Sequence, residues 1–232
     1  MGRSGIRRER VLGKILFFLF VLLVVAPVAL LLIFRFLPLP GTPQMLWSLF
    51  QGKGAHYAWS DALPPILGKA VIGSEDQNFC HHSGFDWKSI DQAMAAHERN
   101  PAKRLRGAST LSQQTARTLF LVPVRSWIRK GAEAYLTVLL EALWPKKRIL
   151  EAYLNLVDWG HGNFGAEAAA RAYFHTSAER LSRAEAARLA AILPDPDKWN
   201  AASPGPYVAA RSQILIARAS EVTRDNLDFC VK

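Results

Sequence analysis

Acidic residues are scarce in this sequence, and cysteine is scarcer. The 232-residue chain carries 19 Asp and Glu against 29 Lys and Arg, a formal charge of +10. Its two cysteines, Cys80 and Cys230, are too few for a disulfide-stapled miniprotein and too far apart for a Cys-rich zinc module. The six histidines form no H-x-x-x-H pair and no C-x-x-C is present, so the common structural metal motifs are missing. No strand-like alternation, no repeat of about 20–50 residues and no low-complexity tract stands out. Disorder is excluded too, because 50% of the residues are hydrophobic and can bury enough surface to offset the entropy of ordering.

The longest apolar run is Ile15 to Phe34, 20 residues without a charge. As a helix it is about 30 Å long, the thickness of a bilayer's hydrocarbon core. Pro27 interrupts it, which a spanning helix tolerates. Before it lie Arg3, Arg7, Arg8, Arg10 and Lys14 against the single acid Glu9. The positive-inside rule then keeps the N-terminus in the cytoplasm and the rest of the chain outside. A cleaved signal peptide would have a shorter apolar core and an A-x-A-like site, and RFLPLPGTP offers none. An uncleaved anchor is the expectation. The basic head thus belongs to membrane insertion, and no nucleic-acid partner is expected.

The sequence divides into a basic cytoplasmic head (1–14), a transmembrane anchor (15–35), a juxtamembrane linker rich in Pro and Gly (36–63) and one mainly α domain (64–232). Breakers separate the helical stretches. Pro64 and Pro65 suit a first turn before an apolar run over 66–79, and Asp86 can N-cap a helix to about Glu98. Thr110-x-x-Gln113 and Ser182-x-x-Glu185 are capping-box patterns. Further helices are expected over about 125–143, 146–157 and 207–223.

Four clusters could carry chemistry. In the first, Glu75-Asp76-Gln77-Asn78-Phe79-Cys80-His81-His82-Ser83-Gly84, paired acids sit where a helix gives way to a turn. The negative end of the helix dipole disfavours their charge there, a setting suited to a general base; on composition alone an exposed acid pair beside a turn is the favoured reading. The second is Gly107 to Arg117, where Thr110, Gln114 and Arg117 at i, i+4, i+7 share a face able to hold a phosphate or sugar. The alternative is an N-capped helix with a polar outer face. The third is Arg125, Arg129, Lys130 and Glu133, either a solvated ion-paired face or a cation set for a departing diphosphate. The fourth is Lys146-x-x-Ile149-Leu150-Glu151-x-Tyr153-Leu154-Asn155 followed by Gly162-Asn163-Phe164-Gly165, which reads as scaffold first.

In this order and spacing the clusters fit a known pattern. The chain resembles the peptidoglycan glycosyltransferase family, the polymerising module of bifunctional penicillin-binding proteins, and most of all its stand-alone, monofunctional branch. The matches are E-D-x-x-F-x-x-H-x-G at Glu75, Asp76, Phe79, His82 and Gly84, then G-x-S-T-I/L-T/S-Q-Q-x-x-K/R, R-K-x-x-E and K-x-x-I-L-E-x-Y-L-N. Arg117 stands where Lys is commoner, and Thr118 where Asn often follows. No S-x-x-K, S-x-N or K-T-G occurs, which argues against an attached transpeptidase.

The resemblance implies a lysozyme-like, two-lobed helical fold and lipid II as substrate. The growing lipid-linked glycan is the donor, and the next lipid II supplies a GlcNAc 4-hydroxyl; a β-1,4 link forms with inversion. Glu75 matches the family's catalytic base and Glu133 its second carboxylate on the donor side. Arg117, Arg125, Arg129 and Lys130 would bind diphosphate, Ser109, Thr110 and Gln114 would position sugar or phosphate, and Asp76, Phe79 and His82 would complete the substrate site. No cofactor is required, though a divalent cation (Mg or Mn) could assist at the diphosphate. Apolar surface would dip into membrane lipid, other cell-wall synthesis proteins are candidate partners, and a Gram-negative inner membrane with a periplasmic domain is expected. Two rivals are a membrane-anchored lytic enzyme and an inactive scaffold; the basic cluster opposes the first and the two glutamates the second. An oxidising compartment would allow Cys80 and Cys230 to pair, but the place of Cys80 inside a motif argues against it.

Overall fold

A computed structural model of the chain describes residues 3–100, 108–124 and 126–232, with side chains from residue 9 onward. It has two compact units, Met1–Pro38 and Leu39–Lys232. The first is helix α1 (Arg3–Phe20), a π-helical turn (Val21–Val25) and α2 (Ala26–Phe34). Pro27 brings no N–H, and its ring crowds the carbonyl four residues back; the wider turn just before it relieves that clash. The continuous stretch Glu9–Phe34, 26 residues with an 18-residue window of mean hydropathy 3.2, is long and apolar enough to cross a membrane.

The second unit begins earlier than the sequence suggests. Residues 39–63, expected as linker, are built into it. Thr42 N-caps α3 (Pro43–Phe50) by accepting from Met45 N–H at 3.3 Å. Ser48 then donates to the Gly54 carbonyl at 2.7 Å, and the Tyr57 hydroxyl to the Leu39 carbonyl at 2.5 Å. Strand β1 (His56–Tyr57) pairs in parallel with β2 (Asn163–Phe164), His56 opposite Asn163. Two-residue strands are too short to show alternation, which is why none was legible.

The rest is mainly α: α4 (Pro65–Glu75), α5 (Trp87–Arg99), α6 (Leu111–Phe120), α7 (Trp127–Leu143), α8 (Lys146–Leu156), α9 (Ala166–Phe174), α10 (Arg183–Ile192) and α11 (Pro206–Arg224). Both expected capping boxes form, at Thr110 and Ser182. Asp86 caps α5, accepting from Ser89 N–H at 3.0 Å and from Asn78 at 2.8 Å. Burial acts to raise the Asp86 carboxyl, but hydrogen bonds from Ser89 and Asn78 outweigh it and hold the group below its ordinary value. The sequence does not announce helix α9, because no side-chain cap marks its first turn. It starts at Gly165, and Glu167 fixes it by accepting from Ala178 N–H at 2.7 Å.

Two helix groups form the core. Helix α4 packs with α10 and α11, while α6 packs with α7 and α8. Leu67, Val71 and Ile72 of α4 are fully buried, each worth about 1.5–3 kcal/mol on removal from water. The alanines of α10 (Ala186, Ala187, Ala190, Ala191) are buried as well, and their small side chains let the helices approach closely. Helix α4 stops at Glu75 and not at Phe79, because the Asp76 side chain is engaged elsewhere. The chain then turns through Phe79–His81, where Cys80 forms a disulfide with Cys230 across 150 residues. The pairing, possible but disfavoured on the sequence alone, is thus formed, and the closing turn Phe229–Val231 packs directly on that motif.

Candidate active site

The two helix groups meet at the end of α4 and the start of α6. Here the adjacent acids Glu75 and Asp76 have different fates. Asp76 is only 7% exposed; its Oδ2 accepts from the Leu111 N–H at 2.9 Å, and His82 Nε2 lies 3.0 Å from its Oδ1. A helix N-terminus presents unpartnered N–H groups and a partial positive charge, so α6 and the imidazole hold this carboxylate between them. His82 Nδ1 accepts from Gly84 N–H at 3.2 Å, which leaves the ring proton on Nε2, facing Asp76. Phe79 is completely buried, with the Lys146 ammonium 4.5 Å from its ring centroid.

Glu75 is only half-buried. Its Oε2 accepts from Gln114 Nε2 at 3.1 Å and its Oε1 from the Ser74 hydroxyl at 3.3 Å. The orientation of the Gln114 amide follows from Tyr153, whose hydroxyl donates to Gln114 Oε1 at 3.2 Å, so the NH2 group faces Glu75. Burial, then the neighbouring Glu75 carboxylate, push the Tyr153 phenol well above its ordinary value. It stays a donor.

Thr110 is spent on the fold. Its hydroxyl accepts from Gln113 N–H at 3.2 Å and donates to the Gly84 carbonyl at 2.6 Å, while Gln113 Oε1 accepts from Thr110 N–H at 3.1 Å. Gly84 itself adopts φ +92°, and a Cβ there would lie 2.8 Å from Thr137 Cγ2. Only glycine fits.

On α7, Glu133 has no exposed surface at all, yet it is not solitary. Arg129 Nη1 donates to Oε2 at 2.6 Å and Lys130 Nζ to Oε1. A carboxylate taken out of water is sustained only by such pairing, here one cation on each oxygen. The cations extend further outward: the Arg129 and Lys130 side chains are 17% and 41% exposed. Lys130 also reaches Ser109 Oγ at 3.4 Å, and Gln114 Nε2 lies 3.4 Å from the Ser109 carbonyl, so Ser109 links the two carboxylate centres. Arg117, on the α6 face that carries Gln114, makes no ion pair among the described residues, although its charge is felt at Tyr153. Arg125 lies outside the described residues.

Of the expected site residues, then, the structure gathers Glu75, Ser109, Gln114, Arg129, Lys130 and Glu133, with Arg117 alongside. Asp76, Phe79, His82 and Thr110, expected as substrate ligands, line the wall of this site: Asp76, Phe79 and Thr110 are buried, and the side-chain polar atoms of Asp76, His82 and Thr110 are engaged by protein partners. Spacing could not separate Glu75 from Asp76. Tyr153 and the chain Ser112–Glu141–Lys146, with Lys146 Nζ 2.6 Å from Glu141, were read as scaffold or not at all.

The transglycosylase family model matches residues 45–220 of this sequence. The chain belongs to the transglycosylase family. It is 45% identical over 225 residues to the biosynthetic peptidoglycan transglycosylase of Caulobacter vibrioides, covering 96% of this chain and 97% of that protein. The proteins of the same name from Rhodospirillum centenum and Pseudomonas aeruginosa are 50% and 51% identical, covering 88% and 81% of this chain and 89% and 83% of theirs. Membership makes the chain a glycosyltransferase. The family match begins at residue 45, inside α3, in keeping with a compact unit that already includes the expected linker.

Proposed function

We propose that this transglycosylase polymerises lipid II into β-1,4-linked peptidoglycan strands with release of polyprenyl diphosphate. The observation that carries this reading is a half-buried carboxylate, Glu75, beside cations anchored on a second carboxylate that is wholly out of water. Glu75 takes the proton of the acceptor's 4-hydroxyl as its oxygen attacks C1 of the donor MurNAc. The C1–O bond to diphosphate breaks with inversion, and the leaving group departs with the electron pair. Arg117, Arg125, Arg129 and Lys130 stabilise the charge that builds up on it. Glu133 is a positioning residue that fixes Arg129 and Lys130, and Ser109 and Gln114 orient Lys130 and Glu75.

Among the described residues no three of His, Cys, Asp and Glu converge closely enough to hold a metal ion. The domain is assigned to the periplasmic face of the inner membrane, with the N-terminus in the cytoplasm. The basic head before the apolar helix supports that orientation, and the Cys80–Cys230 disulfide supports an oxidising compartment. Leu46, Leu49 and Phe50 on one face of α3, and Trp127 and Ile128 at the start of α7, are exposed and suited to the lipid headgroup layer.

The test is polymerisation of labelled lipid II by the detergent-solubilised chain, with Glu75→Gln alongside. A glycan ladder from wild type and none from the variant is expected. A folded wild type that binds lipid II without making a ladder would refute the transferase, and a ladder from Glu75→Gln at the wild-type rate would refute the base.

A further inference from the structure

Helix α4 ends in a field that works against its own last residue. The final carbonyls of a helix carry partial negative charge, and Glu75 adds a full negative charge beside them. Helix α11 opposes this with two arginines on one face, two turns apart. Arg218 Nη1 donates to the Gly73 carbonyl at 3.2 Å, and Arg211 Nη2 donates to the Ser74 hydroxyl oxygen at 3.2 Å. Gly73 allows the approach, since a Cβ there would lie 3.1 Å from Arg218 Cβ. Neither arginine lies in the four motifs, and among the described residues neither forms an ion pair with an acid.

The Ser74 hydroxyl is the branch point. Its oxygen lies 3.3 Å from Glu75 Oε1 and 3.3 Å from the Ala190 carbonyl on α10. A hydroxyl has one proton, so it serves one of these acceptors at a time. Arg211 occupies an oxygen lone pair and limits the rotations left to the hydroxyl. Among the described residues its buried Nε has no hydrogen-bond partner, an unfavourable state for a guanidinium whose only role is to fill space.

We propose that Arg211 is a positioning residue for the base: through the Ser74 hydroxyl it fixes the Glu75 carboxylate, and it sets a cation at the end of α4. The proposal rests on the reading of Glu75 as the base. Glu75 is then held at both oxygens, Oε2 by Gln114 and Tyr153, Oε1 by Ser74 and Arg211. The acceptor hydroxyl meets a carboxylate in one orientation. Without Arg211, Ser74 turns to Ala190 and Oε1 swings free, which slows proton transfer and leaves substrate binding intact.

The experiment compares lipid II polymerisation by the 232-residue chain with Arg211→Gln, Arg211→Lys, Ser74→Ala and, as control, Arg224→Gln, an exposed residue that pairs with Asp225. For Arg211→Gln, kcat is expected to fall about 10- to 100-fold, the scale of a misplaced catalytic group, while KM stays within about twofold. Arg211→Lys, which keeps the charge but not the fork, should fall between that variant and wild type. Ser74→Ala should match Arg211→Gln, and the double variant should be no worse than the lower single, since both cut one link. Wild-type kcat in Arg211→Gln, a loss confined to KM, or a loss that follows a lowered melting temperature while Ser74→Ala stays active would each overturn the proposal. Absence of a ladder from wild type would bring down the reading of Glu75 first, so the two failures are distinct.

Discussion

Reduction of the Cys80–Cys230 bridge should destabilise the 39–232 unit more than any single hydrogen bond in it. The bridge closes 150 residues, and the chain-entropy relation for a loop of that length gives about 5 kcal/mol at 25 °C. Measured effects are commonly about 2–4 kcal/mol, because the reduced, unfolded chain is not a random coil. For a domain of this size, 4 kcal/mol corresponds to a fall in Tm of about 8–16 °C. Reduction leaves local contacts in place: the His81 and Phe229 rings lie 5.3 Å apart, and Lys69 Nζ is 3.8 Å from Asp228. The closing turn should therefore stay docked at 25 °C, and the Asp76–His82–Gly84 wall keeps its own hydrogen bonds. Polymerisation at 25 °C should fall much less than the melting temperature.

The assay is a thermal melt of the detergent-solubilised protein with and without a phosphine reductant, alongside Cys230→Ser. Alkylation and mass measurement report the thiol state. Complete alkylation of both cysteines in folded, unreduced protein, or melts within about 1 °C of each other, would refute the reasoning.

Glu133→Gln should cost about 2–4 kcal/mol, at or just below the range for breaking a buried pair, because Lys130 and Arg129 can turn partly to water. Urea unfolding reads this loss, and lipid II binding should weaken with it; unchanged stability would mean that the pair is not what holds α7 to the site. Asp86→Ala should cost about 1 kcal/mol at pH 7, the usual value of a lost N-cap. The Asp86 carboxyl is held low in the folded state, so its contribution is present above the unfolded value of about 3.9 and is lost as pH falls through the folded one. Urea titrations at pH 7 and at pH 3 should accordingly show the gap to wild type shrinking in acid, and a gap of equal size at both would contradict this.

Much of the site was legible because it lies on local spacing. Thr110-x-x-Gln113 announces the start of α6, and Arg129, Lys130 and Glu133 are one helical turn apart, so their pairing follows from the helix itself. What remained hidden depends on contacts between distant segments. Asp76 reaches Leu111 across 35 residues, Arg211 reaches Ser74 across 137 and Cys80 reaches Cys230 across 150. No periodicity encodes such distances. Spacing alone therefore could not separate the neighbouring acids; only the family resemblance set Glu75 apart from Asp76, and the physical difference is that α6 claims Asp76.

That claim also bears on what kind of sugar chemistry the site suits. A glycosidase must deliver a proton to a poor leaving oxygen, and it needs a carboxyl group free to approach that oxygen. Here Asp76 is tied to a helix N-terminus, and Glu133 has no exposed surface and a cation on each oxygen. Neither presents a carboxylate oxygen free of a protein partner. The one accessible carboxylate in the gathered set is Glu75, placed to take a proton, while the partly exposed groups on the other side are Arg129 and Lys130. One proton acceptor facing a bank of cations matches a leaving group that departs as an anion without being protonated. A lytic enzyme would ask that same carboxyl to deliver a proton to the scissile oxygen, and the cations Arg129 and Lys130 would then have no departing anion to stabilise.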